Sequence, residues 1–161
     1  METLKIRKAT KKDVPLILDF IRMIADYEKL SDSLTVTEDI LNESLFGNDA
    51  KAEVIFGYFE NEAVAYAVYF YNFSTFVGRN GLYLEDLFVK PEHRGKGLGK
   101  ILLKHLAKLA VENNCGRMEW TVLDWNRPAI DFYKSIGAVS MDGWSIFRLD
   151  ETSLRKFTQD S

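Results

Sequence analysis

An α/β fold, with a mixed and largely antiparallel central sheet flanked by helices, is predicted by three features of the sequence. Apolar residues recur at helical spacing over 14–25 and 98–110, β-rich runs fill 52–89, and only short turn signals separate the segments. The resulting order is strand, two helices, three strands, helix, strand, helix, two strands, which reads as one sheet and one domain over residues 1–161. Repeats, low-complexity stretches and linkers are absent from the sequence.

Leu4, Ile6 and Lys8, with Lys5 and Arg7 between them, start as a strand. Thr10 and Asp13 spell a capping box with Asp in place of the usual Glu. Val14, Ile17, Leu18, Ile21, Ile24 and Ala25 then predict a helix with one buried stripe, running to about Glu28. Ser31 to Ser33 breaks it, and Thr37 with Glu38 and Asp39 caps a shorter helix ending near Leu45 and Gly47. Val54 to Phe59, Val64 to Phe73 and Leu82 to Val89 are expected as consecutive antiparallel strands, separated by Asn61-Glu62 and by a loop holding Gly78, Asn80 and Gly81. Pro91 stops the last of these, and Leu98, Ile101, Leu102, His105, Leu106, Leu109 and Ala110 trace a long helix to about Asn114. Met118 to Val122 reads as a buried strand. Asn126, Pro128 and Gly137 bracket a helix as cap, first-turn proline and terminal glycine. Ala138 to Leu149 reads as two more short strands, and Glu151 to Thr158 as a last, half-exposed helix.

Composition narrows the class. The 161 residues carry 21 Lys plus Arg against 24 Asp plus Glu, a net charge of −3, with 47% hydrophobic and 28% charged residues, which fits neither a disordered chain nor a broad nucleic-acid-binding surface. The single Cys115 allows no intrachain disulfide and is compatible with a reducing compartment. Charges at Lys5, Arg7, Lys8, Lys11 and Lys12 occupy the place where a signal peptide needs an apolar segment, and the run Ala63 to Tyr71 is far short of the ~20 residues of a membrane helix. A cytoplasmic protein is expected. His93 and His105 are too few to suggest a metal centre.

The segment His93-Arg94-Gly95-Lys96-Gly97-Leu98-Gly99-Lys100 stands between a strand and a helix, which makes it an anion site by construction. Free N–H groups and the positive dipole end face the loop, the glycines admit a ligand to the backbone, and Arg94, Lys96 and Lys100 add charge. Ile101 stands where a P-loop needs Ser or Thr, and Lys100 where a dinucleotide fingerprint needs Gly or Ala, so both nucleotide readings fail.

Arg94-x-x-Gly97-x-Gly99, following a strand and opening an amphipathic helix, resembles the acetyl-CoA signature of the GNAT superfamily of N-acetyltransferases. Leu82-Tyr83-Leu84-Glu85-Asp86-Leu87-Phe88-Val89, Val122-Leu123-Asp124-Trp125-Asn126, Phe132-Tyr133-Lys134 and Gly137-Ala138 resemble the diamine (spermidine/spermine) and thialysine N-acetyltransferases in particular. Tyr27-Glu28 and Gly143-Trp144 extend the likeness to nearly the whole chain. The resemblance implies a GNAT-like fold and acetyl-CoA as acetyl donor. It assigns Leu87, Phe88 and Val89 to the pantetheine arm, Arg94, Gly95, Lys96, Gly97, Leu98, Gly99 and Lys100 to the pyrophosphate, and Asn126, Arg127, Pro128 and Ala129 to the reactive end. Tyr133 becomes a general acid that also borders the cofactor, while Tyr27, Glu28, Glu85, Asp86, Glu119, Trp120 and Thr121 become substrate contacts. A homodimer paired through the C-terminal strands, where Trp144, Ile146 and Phe147 supply apolar area, is also implied.

The residues themselves carry matching chemistry. An alkyl ammonium with a pKa of about 10.4 must lose a proton before it can attack an acyl carbon. Strict alternation puts Glu85 with Tyr83, Leu87 and Val89, and Asp86 on the opposite face with Leu84 and Phe88, so each carboxylate interrupts an apolar row. A buried ion pair and a base that also attracts a cationic amine are both compatible with Glu85. Tyr133, seven residues after Asn126 on a stripe shared with Ala129, is either core or the donor to a departing thiolate. A backbone N–H of 87–89 is expected to stabilise the oxyanion. Cys115 follows Asn113-Asn114 with no His beside it, which favours direct transfer over a thioester on the protein. The aromatics from Phe56 to Phe76 read as sheet core. The expected function is acetylation of a primary amine on a small cationic diamine, polyamine or lysine-like amino acid. The alternatives are acetylation of a protein N-terminus or lysine, and a non-catalytic CoA-binding module.

Overall fold

In the computed structural model, which describes residues 3–159, β1 (Lys5–Lys8), β2 (Glu53–Phe59), β3 (Glu62–Ser74), β4 (Arg79–Val89) and β5 (Met118–Trp120) form one sheet in sequence order. Neighbours from β1 to β4 are antiparallel and β4–β5 is parallel, so the sheet is mixed as expected. A parallel neighbour needs a crossover, and α3 (Leu98–Glu112) supplies it.

The helix starts follow the local signals. The Thr10 N–H donates to Asp13 Oδ2 at 2.7 Å, closing a 3-10 turn that leads into α1 (Val14–Tyr27). Arg7 grips the same carboxylate at 2.8 Å and holds its pKa down to about 2, so the cap stays charged. Thr37 Oγ1 accepts from the Ile40 N–H at 3.2 Å at the head of α2 (Glu38–Phe46).

Two cores lie on the two faces of the sheet. Val14, Ile17 and Phe20 of α1 pack with Phe56, Tyr66 and Phe88, whereas Leu98 of α3 packs with Leu4, Val64 and Val89. Phe88 and Val89 are successive strand residues and so point to opposite sides. Phe20, fully buried within 4.8 Å of the Tyr66 ring, is the centre of the aromatic cluster, although the helical stripe read from the sequence passes it by. On α3, Ile101 of the expected stripe is exposed and Leu103 is buried instead.

The hairpin joining β3 to β4 is tighter than predicted. Asn80 and Gly81 lie inside β4, paired with Phe73 and Asn72, which leaves residues 75–78 as the turn. The predicted aromatic core ends before that turn, since Phe73 and Phe76 are exposed. β5 stops at Trp120 and is half-buried rather than buried.

Backbone contacts divide the chain after Thr121 into two compact units. The sheet and α1 to α3 make up the first. The second contains α4 (Arg127–Ser135) and α5 (Glu151–Gln159). Pro128 occupies the first turn of α4, and Gly137 follows its end at φ +93°, as the bracket of residues predicts. Asp150 Oδ1 accepts from the Ser153 N–H at 2.8 Å and caps α5, whose residues are exposed throughout rather than on one side. The two strands expected in 138–149 are not formed among the described residues. Among the described residues this segment forms no ladder, and its alternating apolar residues are solvated: Val139, Trp144, Ile146 and Phe147 are each more than 70% exposed.

Candidate active site

Beyond β4 the chain makes a 3-10 turn, Pro91–His93, and then bends into α3. Gly95 and Gly97 sit at φ +78° and +77°, where residues bearing a Cβ are strained. A Cβ built on either would meet nothing within 4 Å, so the backbone is open on its outer side. Gly97 caps α3, and its carbonyl accepts the first helical bond, from Ile101 N at 3.1 Å. The N–H groups of Leu98, Gly99 and Lys100 therefore precede the helical ladder. Lys96 and Lys100 are exposed beside them, while the Leu98 side chain is buried and anchors the helix start. These residues fit an anion that must approach the main chain closely.

Arg94 is held by contacts of its own. Its Nε donates to the Val89 carbonyl at 2.9 Å, and its guanidinium lies 4.8 Å from the Tyr27 ring centroid and 5.0 Å from that of Phe88. It fastens the end of β4 to the end of α1.

The strand before the loop departs from regular pairing twice over. β5 pairs with β4 only at Leu82, Tyr83 and Leu84, so on that side no strand of the described residues covers the stretch from Asp86 to Val89. In the β3–β4 register Val68 faces Asp86 while Tyr69 faces Leu84, which leaves Glu85 as the extra residue of a bulge. A bulge interrupts strict alternation, so the opposite-face placement of the two acids does not hold. Glu85 is exposed and Asp86 half-buried, and both act on Glu28 at the end of α1. Burial, then repulsion from Asp86, then repulsion from Glu85 raise the Glu28 pKa. Burial also raises that of Asp86, opposed by a hydrogen bond donated from the Tyr66 hydroxyl. Among the predicted substrate residues, Tyr27, Glu28, Glu85 and Asp86 thus belong to one neighbourhood, with Tyr27 edge-on to Phe88 at 6.4 Å.

Glu119, Trp120 and Thr121 belong to β5 and its end, next to β4. Glu119 pairs in register with Tyr83, and its carboxylate is 3.1 Å from Arg117 Nε; Trp120 is opposite Leu84, and Thr121 is exposed after the strand. In the second unit Asn126 is the cap residue of α4, outside the helix, with its carbonyl accepting from Ile130 N at 3.1 Å. Arg127 and Pro128 are exposed in the first turn, Ala129 and Tyr133 are half-buried, and the Tyr133 ring lies 5.7 Å from that of Phe132.

Tyr66 escaped the sequence reading, which counted it as core. The available signal was a hydroxyl-bearing aromatic on the strand facing an acidic pair. A second grouping unforeseen in the sequence joins Glu62, Glu92 and His93, whose ligand-type atoms lie within 4.8 Å of one another. The Lys90 ammonium, 3.5 Å from Glu62, already supplies that group with positive charge.

Comparison with known proteins identifies the family. The profile of the acetyltransferase (GNAT) family matches residues 20–138. A thialysine N-epsilon-acetyltransferase of Bos taurus is 38% identical over 167 residues, covering 97% of this chain and 98% of that one. An L-ornithine N5-acetyltransferase of Arabidopsis thaliana is 30% identical over 94% of this chain and 86% of its own. Among solved structures, an integron cassette protein from the V. cholerae mobile metagenome superposes with a TM-score of 0.82 at 30% identity, over 99% of this chain and 100% of that one. The family match over residues 20–138 and the 38% identity to a thialysine N-epsilon-acetyltransferase along nearly the whole chain make this chain an N-acetyltransferase belonging to the GNAT family.

Proposed function

We propose that this enzyme transfers the acetyl group of acetyl-CoA directly to a primary amine of a small cationic substrate: a diamine, a polyamine or a lysine-like amino acid such as thialysine. The observation that carries the reading is the convergence of Glu85 and Asp86 on Glu28, whose pKa is raised by burial and by repulsion from both, an acidic neighbourhood that attracts a cationic amine. The relatives named for thialysine and L-ornithine, both amino acids with a second amine, support the same class. Free CoA release measured over a panel of diamines, polyamines, thialysine, lysine and neutral monoamines tests it. Amines that carry a second positive charge are expected to give the highest kcat/KM, and equal turnover of neutral monoamines would overturn the reading.

The donor is assigned to the open backbone. Leu87, Phe88 and Val89 offer main-chain groups to the pantetheine arm, and Arg94, Gly95, Lys96, Gly97, Leu98, Gly99 and Lys100 cradle the pyrophosphate. In the second unit, the family resemblance gives Asn126, Arg127, Pro128 and Ala129 to the reactive end and Tyr133 to proton donation. Tyr27, Glu119, Trp120 and Thr121 complete the amine contacts by the same resemblance. Gly97→Val places a branched side chain at φ +77° in the open space over the loop. Acetyl-CoA affinity is expected to fall at least tenfold or so while the fold survives, and calorimetric titration of the folded variant checks it.

A cytoplasmic location and a homodimer complete the proposal. No helix among the described residues is long and apolar enough to cross a membrane. The exposed Trp144, Ile146 and Phe147 give a second copy an apolar strip to cover. Light scattering is expected to report twice the mass of one chain at micromolar concentration, and a single-chain mass throughout would remove the dimer.

A further inference from the structure

Tyr66 is buried among apolar rings, yet its polar end belongs to the acidic neighbourhood. The residue is fully buried, stacked on Phe20 at a ring distance of 4.8 Å and packed in the core that contains Phe56 and Phe88. A phenylalanine would satisfy that packing equally, so packing does not account for the hydroxyl. A hydroxyl in such a place is costly unless it finds an acceptor. Its acceptor is Asp86 Oδ2, one residue past the bulge. Tyr66 is opposite Phe88 and Val68 is opposite Asp86, so the bond runs diagonally across the strand pair.

We propose that Tyr66 is a positioning residue of the amine site, committing one oxygen of Asp86 and thereby presenting the other to the substrate ammonium. This inference rests on the reading of Asp86 as an amine ligand. The choice of donor matters. Arg or Lys in the same place would neutralise the carboxylate and compete with the substrate, whereas a phenol orients and stabilises the charged form without adding positive charge. The charged and titratable groups around Asp86 are Tyr66 from β3, Glu28 from the end of α1 and Glu85 on its own strand. Two cations on adjoining elements have partners of their own: Lys90 lies 3.5 Å from the Glu62 carboxylate and 5.7 Å from the centroid of Phe20, and Arg94 lies over Tyr27 and Phe88. Burial raises the Asp86 pKa, and the Tyr66 hydrogen bond opposes it.

The test is Tyr66→Phe, which retains the ring and its stacking. The amine KM is expected to rise roughly 10- to 100-fold, as for a lost hydrogen bond to a charged group, with the acetyl-CoA KM unchanged. Removing a donor that favours the carboxylate raises its pKa, so the acidic limb of kcat/KM should move to higher pH. The ¹³C-carboxyl titration of Asp86 should move the same way. A folded Tyr66→Phe enzyme with unaltered amine KM and acidic limb would overturn the inference. Asp86→Asn separates the two levels of argument. If it leaves the amine KM unchanged, the amine-ligand reading falls; if it raises KM while Tyr66→Phe does not, the role of Tyr66 falls alone. The double variant should be no worse than Asp86→Asn, because Tyr66 acts through Asp86, and additive losses would contradict this. One measurement needs no variant: the Tyr66 hydroxyl proton should shift in the NMR spectrum when amine saturates the native enzyme, and a static resonance would refute the coupling.

Discussion

Tyr133→Phe is expected to lower kcat by about 10²- to 10⁴-fold, the range typical of a lost general acid, while acetyl-CoA affinity stays within a few fold. The substitution removes a donor and leaves the volume nearly unchanged. Main-chain bonds hold the helix end around it: the Tyr133 carbonyl accepts from Ile136 N at 3.3 Å and from Ala138 N at 3.1 Å, closing α4 before Gly137. Helix α4 should therefore persist, and any loss of rate reads as chemistry. The departing group in acetyl transfer is a thiolate, and a phenol supplies the proton that makes it a better leaving group. If the tyrosine only fills space, kcat at saturating acetyl-CoA and amine will be unchanged and the melting temperature will shift instead. Steady-state kinetics and calorimetry on this one protein distinguish the two, because kcat and binding report on different states. Full kcat would move the acid to water or to another residue.

Local signals were legible wherever the physics is local. Thr10 and Asp13 are three residues apart, and the bonds between them form whatever the rest of the chain does, so the head of α1 could be placed from sequence. The same holds for Thr37 at α2 and for the glycines before α3, whose positive φ values are the reason that glycine is needed there. Phe20 was missed because the apolar residues of α1 cover more than one stripe, and which of them is central depends on where the sheet presents Phe56, Tyr66 and Phe88. The bulge at Glu85 was missed for a related reason: it is a property of two strands in register, invisible in either strand alone. Its consequence is large, since alternation would have separated Glu85 from Asp86. The apolar alternation of 138–149 does read as strand, but pairing requires a partner, which this segment lacks among the described residues. The glycine loop and the acidic pair were thus legible as motifs, while the geometry joining the acids to Glu28 and Tyr66 was not.

Glu85→Gln is expected to reduce kcat/KM for the amine by about 10²-fold or more, if Glu85 accepts the ammonium proton directly or through water, with acetyl-CoA affinity preserved. The shape of the pH profile carries more information than the size of the loss. Glu28 has a pKa raised by burial, by Asp86 and by Glu85, and Asp86 has one raised by burial. As pH falls, such carboxylates take up protons earlier than ordinary ones, and each proton removes attraction for a cationic amine, so activity has an acidic limb. Replacing Glu85 by a neutral amide removes its own titration and part of the repulsion on Glu28, which lowers the Glu28 pKa. The limb caused by proton acceptance at Glu85 should vanish, and what remains from Glu28 should lie at lower pH than in the native enzyme. A substrate already deprotonated at the working pH, such as an amine of lower pKa, should recover part of the lost rate, because it no longer needs the base. Kinetics from pH 5 to 9 with two amines of different basicity measure both effects. An unchanged acidic limb, with equal losses for both amines, would show that Glu85 only draws the cation in and that the proton leaves by another route.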